Sequence, residues 1–241
     1  MESKAIAGVR IDTCKKADAR HRIRAFLKEK NGARVFTPNS LILHKASRDS
    51  RLRKLLNSAE LLLPDGAGVC LAYRLRGYGD CERITGIDTA EWILRFAEKN
   101  GLSVFLLGAE RGVAERAAAR LKKALPKLRI AGTQHGYFDK RFGSDENRAV
   151  VSKIRLSGAD IIFVCMGFPT QEAWIYQNAS SIPEARLFMG LGGSLDVWSG
   201  KVRRAPRLFR VAGLEWLWRA IREPRRASEL LSLPLFLIAK K

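Results

Sequence analysis

An aspartate lies at a sharp turn in the run Leu63-Pro64-Asp65-Gly66-Ala67-Gly68. Apolar residues precede it, as in a strand, and the glycines that follow would let the backbone approach a ligand closely. Partial burial at such a turn can raise a carboxyl pKa, which would suit Asp65 to act as a general base. The same pattern also fits an Asx turn that caps the next helix. Asp65 is the first candidate for catalysis, and the pattern alone leaves both interpretations open.

Two further turns combine a strand end with the start of a helix. Gly108 opens the run Gly-Ala-Glu-Arg-Gly, where the N–H groups of the following helix could meet a phosphate. This turn lacks the full dinucleotide fingerprint and also the Lys-Ser/Thr ending of a P-loop. In the second turn, at residues 167–172, Gln171 could donate a hydrogen bond to a sugar, or could simply occupy the first turn of its helix.

The chain contains no Asp-x-Asp pair, which many sugar-nucleotide enzymes use to hold a divalent ion. The charge of a departing diphosphate would then have to be met by arginine or by backbone donors. The sequence therefore predicts neither a metal nor another cofactor.

Short apolar runs that alternate with helical stretches must position these residues. The pattern predicts strands at residues 33–37, 60–63, 103–107, 130–133, 160–166 and 186–190. Strands separated in this way pair in parallel through right-handed crossovers, so the expected fold is α/β, with a Rossmann-like sheet flanked by helices. Ligands of such sheets bind at the carboxyl ends of the strands. We therefore expect Thr37, Asp65, Gly108 and Gly167 to share one edge.

Composition limits the class of protein. The 241 residues suffice for one domain with a full core, and the net charge of +20 predicts an anionic partner. The four cysteines show no C-x-x-C spacing, which favours buried free thiols and a reducing compartment. The N-terminus shows no apolar signal region, and no run reaches the length of a membrane span. We expect a cytoplasmic protein.

The last forty residues differ from the rest, so we divide the chain into a catalytic domain, 1–200, and an appendage, 201–241. The appendage has eleven lysines or arginines against three glutamates. Val211, Leu214, Trp218 and Ile221 repeat at helical spacing, with Arg219 and Arg222 beside them. A basic amphipathic helix with tryptophans is typical of a segment lying in a membrane interface, although it could instead pack on the domain or on another subunit.

Six segments occur in an order that resembles the WecG/TagA/CpsF glycosyltransferases. The resemblance runs from about residue 10 to 225. The segments are TPN at 37–39, PDGAGV at 64–69, ERITGID at 82–88, GTQHGYF at 132–138, GFPTQEAW at 167–174 and GKVRRAP at 200–206.

This resemblance implies an inverting transferase that moves N-acetylmannosamine, or its uronic acid, from a UDP-sugar donor to undecaprenyl-diphosphate-linked N-acetylglucosamine. It implies peripheral association with the inner face of the cell membrane, and it matches Asp65 to the proposed base. The other implied residues fall into three groups. They are Thr37, Asn39, Arg83 and Gln171 for the sugar; Tyr137 and Asp196 for the nucleotide; and Arg219, Arg222 and Arg225 for the lipid diphosphate and membrane. The turn at Gly108 joins the nucleotide group on its own pattern.

Two other classes stay open at this point. A pI near 10.4 also fits a nucleic-acid-binding protein, although the aromatic residues do not interleave with basic ones as a stacking surface requires. The second class is a nicotinamide-dependent oxidoreductase. The absence of the full glycine fingerprint for dinucleotide binding counts against this class. We expect no nucleic acid as partner. The sequence leaves the donor sugar and a homo-oligomeric state open.

Overall fold

A parallel sheet of six strands forms the middle layer of the molecule. The computed structural model describes residues 3–29, 31–206, 208, 209, 215 and 218. In this part of the chain the strands are β1 (Lys4–Ile6), β2 (Val9–Ile11), β3 (Ala33–Phe36), β4 (Leu61–Leu62), β5 (Ser103–Gly108), β6 (Arg129–Gln134), β7 (Ile161–Cys165) and β8 (Leu187–Gly190).

Helices cover both faces of this sheet. They are α1 (Lys16–Lys28), α2 (Ser40–Arg48), α3 (Ser50–Asn57), α4 (Ala67–Leu75), α5 (Gly86–Asn100), α6 (Val113–Ala124), α7 (Asp145–Ser157), α8 (Thr170–Asn178) and α9 (Ser194–Trp198). Buried side chains of α1, α5, α6 and α9 form the core on one face. Those of α2, α3, α4, α7 and α8 form the core on the other.

The sheet has the order β4-β3-β8-β7-β5-β6, and every strand pairs with its neighbour in parallel. The six strands are those that the alternating pattern predicts, and the α/β prediction is confirmed. Because all six strands run in one direction, their carboxyl ends meet at a single edge, which we call the carboxyl edge.

The central strands consist of uninterrupted apolar residues because both sides of each strand are covered. In β5, Val104 and Leu106 enter one core while Phe105 and Leu107 enter the other. In β7 the residues of 161–165 alternate in the same way. This period of two gives the sheet two apolar faces and leaves the polar candidates to the loops beyond the strands.

A hairpin at the N-terminus is absent from the sequence prediction. β1 and β2 pair in an antiparallel manner across Ala7 and Gly8, which both have positive φ. An alanine at the first turn position gives none of the usual Asn-Gly signal, so the turn escaped detection. The Asp12 carboxylate accepts a hydrogen bond from the Leu62 N–H at 2.7 Å, and this bond joins the chain after β2 to the end of β4.

All four cysteines are free and buried, as their spacing predicts. The Cys81 thiol donates to the Cys70 sulfur across 3.3 Å. Hydrogen bonds to Cys14 and Cys70, together with burial, raise the pKa of Cys81. The hydrogen bond from Cys81 lowers the pKa of Cys70 despite its burial. These thiols join α4 to the loop that carries Arg83.

Most of the predicted appendage lies outside the described residues, including Val211, Leu214, Ile221, Arg219, Arg222 and Arg225. The division of the chain at residue 200 therefore stays a prediction. The Trp218 ring contacts that of Phe209, with centroids 5.4 Å apart. Ala205 is buried against the domain. Among the described residues, no helix combines the length and apolar character needed to cross a membrane.

Candidate functional site

Three loops at the carboxyl edge lie side by side around Asp65. The Asp65 N–H donates to the Pro38 carbonyl at 3.2 Å, and the Ile84 N–H donates to the Pro64 carbonyl at 3.0 Å. These bonds align the loop after β3, the loop after β4 and the segment before α5. The structure therefore brings together the loops of Thr37, Asn39, Asp65 and Arg83, and the sequence pattern predicts a shared edge for Thr37 and Asp65.

Asp65 is half-buried in this group, and Gly66 follows it with a φ of 94°. Gly66 occupies the N-cap position of α4. Because glycine has no side chain, this residue adds no capping hydrogen bond to the helix. The positive φ turns the chain sharply between the strand end and the helix, and this turn demands a glycine. Asp65 therefore stands at the edge of the sheet directly ahead of a helix.

Thr37 and Asn39 flank Asp65 and have different surroundings. Thr37 is half-buried, and a Cβ at Gly86 would lie 2.8 Å from its hydroxyl oxygen. Residue 86 therefore needs to be glycine for α5 to begin so close to the threonine. Asn39 is exposed, and its side-chain oxygen caps α2 by accepting from the Ile42 N–H at 3.0 Å.

Arg83 belongs to an ion-pair network that includes the C-terminal segment. The Glu215 carboxylate accepts from Arg83 at 2.9 Å and from Arg204 at 3.3 Å. Arg204 also pairs with Asp88 at 2.5 Å. Burial disfavours the charge on Asp88, but hydrogen bonds from Thr85 and Arg204 outweigh that effect and hold its pKa below the usual value. Residues from both sides of position 200 thus converge on Arg83, and no spacing pattern in the sequence indicates the role of Glu215.

Gly108 ends β5 in very close contact with β7. A Cβ at this residue, whose φ is 131°, would lie 2.2 Å from the Cys165 carbonyl oxygen. The Ala109 N–H donates to that oxygen at 2.9 Å, and the Gly136 N–H donates to the Ala109 carbonyl at 2.8 Å. These contacts place the loop that carries Tyr137 beside the turn at Gly108. Tyr137 itself is exposed, as a residue open to a ligand would be.

Lys201 lies beside Asp196 and the Gly108 turn, and the sequence pattern assigns it no role. Its ammonium group lies 2.7 Å from a Glu110 carboxylate oxygen and 3.8 Å from that of Asp196. The hydrogen bond to Glu110 is the main cause that raises the Lys201 pKa, and Tyr137 is among the groups close enough to add to it. A cation therefore lies between the Gly108 turn and α9.

The two groups of candidate residues are separated along the carboxyl edge. β3 and β5 have β8 and β7 between them, so their ends lie about 14 Å apart at the usual strand spacing. Asp65, Thr37 and Arg83 are at the first end, and Gly108 and Tyr137 are at the second. A ligand that reaches both groups must pass over the loops after β7 and β8.

Gln171 joins those two intervening loops. Its side-chain oxygen accepts from the Gly167 N–H at 3.2 Å and from the Gly192 N–H at 2.8 Å. Its amide nitrogen donates to Glu172 at 2.8 Å. Only 5% of Gln171 is exposed, and Glu172 is more deeply buried still. Burial raises the pKa of Glu172 to about 7, although the hydrogen bond from Gln171 opposes this shift.

Among the described residues, no cluster of three or more histidine, cysteine, aspartate or glutamate side chains is arranged to hold a metal ion. A cleft of about 380 Å³ lies elsewhere, lined by Ser3, Asp12, Thr13, Asp18, His21 and Arg22. It shares no residue with the candidate site. We assign the site to the carboxyl edge because the candidate residues converge there.

Comparison with known proteins shows the family of the chain. Residues 4–240 match the model of the glycosyl transferase WecG/TagA/CpsF family. A protein of Bacillus spizizenii, strain W23, is 36% identical over 214 residues, which cover 89% of this chain and 80% of the relative. A protein of Staphylococcus aureus, strain MW2, is 35% identical over 96% of this chain and 89% of its own length. Both are named N-acetylglucosaminyldiphosphoundecaprenol N-acetyl-beta-D-mannosaminyltransferase.

Proposed function

Because the chain belongs to the glycosyl transferase WecG/TagA/CpsF family, we propose that it transfers N-acetylmannosamine from UDP to undecaprenyl-diphosphate-linked N-acetylglucosamine. The observation that carries this proposal is the convergence of Asp65, Thr37, Asn39 and Arg83 at the carboxyl edge. Hydrogen bonds between Asp65 and Pro38 and between Ile84 and Pro64 hold their loops in that arrangement.

In the proposed reaction, Asp65 removes the proton from the attacking hydroxyl group of the acceptor. The hydroxyl oxygen forms a bond to the anomeric carbon of the donor sugar as the bond from that carbon to the UDP oxygen breaks. The electron pair of the broken bond leaves with UDP, and the configuration at the anomeric carbon is inverted. Acceptor and donor must be held in line for this displacement.

The departing diphosphate needs positive charge or N–H donors, which stabilise it best in a site that excludes water. Arg83 lies close to Asp65, and Lys201 lies beside the Gly108 turn. In the proposed site, cationic side chains of this part of the molecule, such as Arg83 and Lys201, stabilise the diphosphate. Arg219, Arg222 and Arg225 supply further positive charge from the appendage. The reaction then proceeds without a divalent ion.

The acceptor explains the basic appendage. A polyprenyl diphosphate has its head group at the bilayer surface, where basic amphipathic helices bind anionic lipids. The contact of Glu215 with Arg83 supports an appendage that reaches the site from the side of the membrane. The enzyme would then act at the inner face of the cell membrane, and its site would be completed there.

An assay of UDP release tests the proposal. The protein is incubated with UDP-N-acetylmannosamine and the lipid-linked N-acetylglucosamine acceptor, with and without a chelator. We expect turnover that survives the chelator. We expect Asp65→Asn to lower turnover by roughly two orders of magnitude or more, because a positioned general base contributes that much. The matched control is Asp145→Asn, since Asp145 makes a surface ion pair with Arg148.

Undiminished turnover in Asp65→Asn would remove this residue from the mechanism. Loss of turnover in the chelator, restored by added Mg²⁺, would contradict the metal-free displacement. The uronic acid of the same sugar is the alternative donor, and the assay run with the UDP-linked uronate decides between the two sugars.

A further inference from the structure

We infer that Glu172 is a positioning residue, which fixes the amide of Gln171 so that this amide holds the loops after β7 and β8 in the arrangement that the donor requires. The inference deepens the proposed function, on which its kinetic part rests. Glu172 is buried, so it would act through Gln171 rather than touch the substrate.

The hydrogen bonds of Gln171 require one orientation of its amide. Its oxygen faces two N–H donors, those of Gly167 and Gly192, while its nitrogen faces the Glu172 carboxyl group. If the amide were flipped, its nitrogen would face two N–H donors, and the hydrogen bonds from Gly167 and Gly192 would be lost. Glu172 supplies the acceptor that makes the observed orientation favourable.

The position of the pair in the sheet gives this orientation its importance. Gly167 follows β7 and Gly192 follows β8, and these two strands separate the Asp65 group from the Gly108 group. The pair also packs directly on β8. A Cβ at Gly190 would lie 2.8 Å from the Gln171 amide nitrogen and 3.3 Å from a Glu172 oxygen. One buried amide therefore sets both loops over which a sugar nucleotide must pass.

Stability alone gives no reason for a glutamate at this position. One of its oxygens, Oε2, is buried and has no hydrogen-bond partner in the structure. An unpaired buried polar atom lowers the stability of the folded state, and an apolar side chain of similar size would avoid that loss. The other oxygen of Glu172 offsets this loss because it accepts the hydrogen bond from the Gln171 amide.

Two variants of residue 172 separate these roles. Glu172→Gln retains an oxygen that accepts from Gln171, whereas Glu172→Met has a similar volume and no such acceptor. The first measurement is hydrogen–deuterium exchange at the Gly167 and Gly192 amides. We expect both amides to stay protected in Glu172→Gln and to exchange at least tenfold faster in Glu172→Met, with exchange in β5 unchanged. This measurement needs no substrate, so it decides the positioning claim even if the proposed reaction is wrong.

The second measurement is steady-state kinetics with the donor. We expect Glu172→Met to lower kcat/KM by roughly 10- to 100-fold, mainly through a higher KM for the donor, because small misplacements of a site cost that much. Glu172→Gln should stay within about threefold of the unaltered protein, a difference below 1 kcal/mol. Glu184→Met is the control for loss of a glutamate at the surface, where Glu184 pairs with Arg155 across 3.9 Å.

Unchanged protection of both glycine amides in Glu172→Met would overturn the inference. So would an equal loss of protection in Glu172→Gln and Glu172→Met, because the acceptor oxygen would then be irrelevant. If Glu172→Met unfolds, Glu172→Leu and Glu172→Gln are compared by the same exchange measurement at a lower temperature, with the same two outcomes.

Discussion

Two of the residues that the resemblance assigns to the sugar use their side-chain oxygens to bind backbone. Asn39 caps α2 through its oxygen, and Gln171 holds two loops through its own. The Asn39 amide is exposed, so its oxygen can cap the helix while its nitrogen meets a ligand, whereas both ends of the buried Gln171 amide bind the protein. The structural and the proposed functional roles of Asn39 can therefore be tested separately.

Asn39→Asp tests this separation. An aspartate accepts the same capping bond from the Ile42 N–H, so the melting temperature should stay close to that of the unaltered protein. The carboxylate cannot donate to a sugar, so KM for the donor should rise roughly 3- to 10-fold. Asn39→Ala should raise KM similarly and also cost about 1 kcal/mol of stability, measured by urea unfolding. An unchanged KM in Asn39→Asp would mean that Asn39 serves as a helix cap alone.

Glu172 makes stability depend on pH. Its pKa is raised to about 7 in the folded protein, so the folded state holds this proton more tightly than the unfolded state does. The resulting stabilisation is fully present below the unfolded pKa, near 4.5, and is lost as pH rises through about 7. The full effect is on the order of 3 kcal/mol. Glu172→Gln should remove this part of the fall in melting temperature between those pH values. Parallel curves for the two proteins would contradict the prediction.

For individual residues, the sequence indicates which side chains could act in the site, but it does not show which residues they contact. Asp65 and Thr37 were found because they stand in motifs at strand ends, and Arg83 because it stands in a segment that resembles the family. Lys201 and Glu215 were missed because nothing in their spacing shows that they lie beside Asp196 and Arg83. Such contacts depend on how distant loops meet, which a linear pattern does not contain.

Among the elements, the strands were the most predictable. The strands β5, β7 and β8 appear as apolar runs because both of their faces are covered, whereas β6 at the edge of the sheet is only partly buried. The N-terminal hairpin was missed because its strands have three residues each and its turn begins with alanine. Short strands of this kind depend on packing against the rest of the molecule, which their own sequence does not show.

The contact between β5 and β7 should make Gly108 intolerant of a side chain. Gly108→Ala would place a methyl group against the Cys165 carbonyl oxygen in addition to the cost of a positive φ. We expect a loss of roughly 3–5 kcal/mol in urea unfolding. The control is Gly143→Ala, which also has a positive φ but nothing within 4 Å of the added carbon, and it should lose about 1–2 kcal/mol. Equal losses would show that the close contact does not matter.

For the whole molecule, the net charge of +20 predicts attraction to an anionic surface, which is the membrane in the proposed function. The test is which basic residues bind it. Replacing Arg219, Arg222 and Arg225 by glutamine should weaken binding to anionic vesicles by roughly 100-fold, at about 1 kcal/mol for each arginine. The matched control replaces Lys122, Lys123 and Lys127 by glutamine. These lysines are exposed at the opposite edge of the sheet, with Lys122 and Lys123 in the last turn of α6 and Lys127 in the loop before β6. If both variants lose binding equally, overall charge rather than the appendage directs the protein to lipid.

The order of the strands also bears on how the chain is made. β8 is the last strand of the described residues, yet it lies between β3 and β7, and without it the described sheet falls into two pieces, β4-β3 and β7-β5-β6. One edge of β3 therefore has no strand to pair with until the ribosome has synthesised β8, which ends at residue 190. An exposed edge attracts other strands during that interval. Newly synthesised chains should consequently depend on chaperones for most of their synthesis, and fragments that stop before residue 187 should aggregate rather than fold.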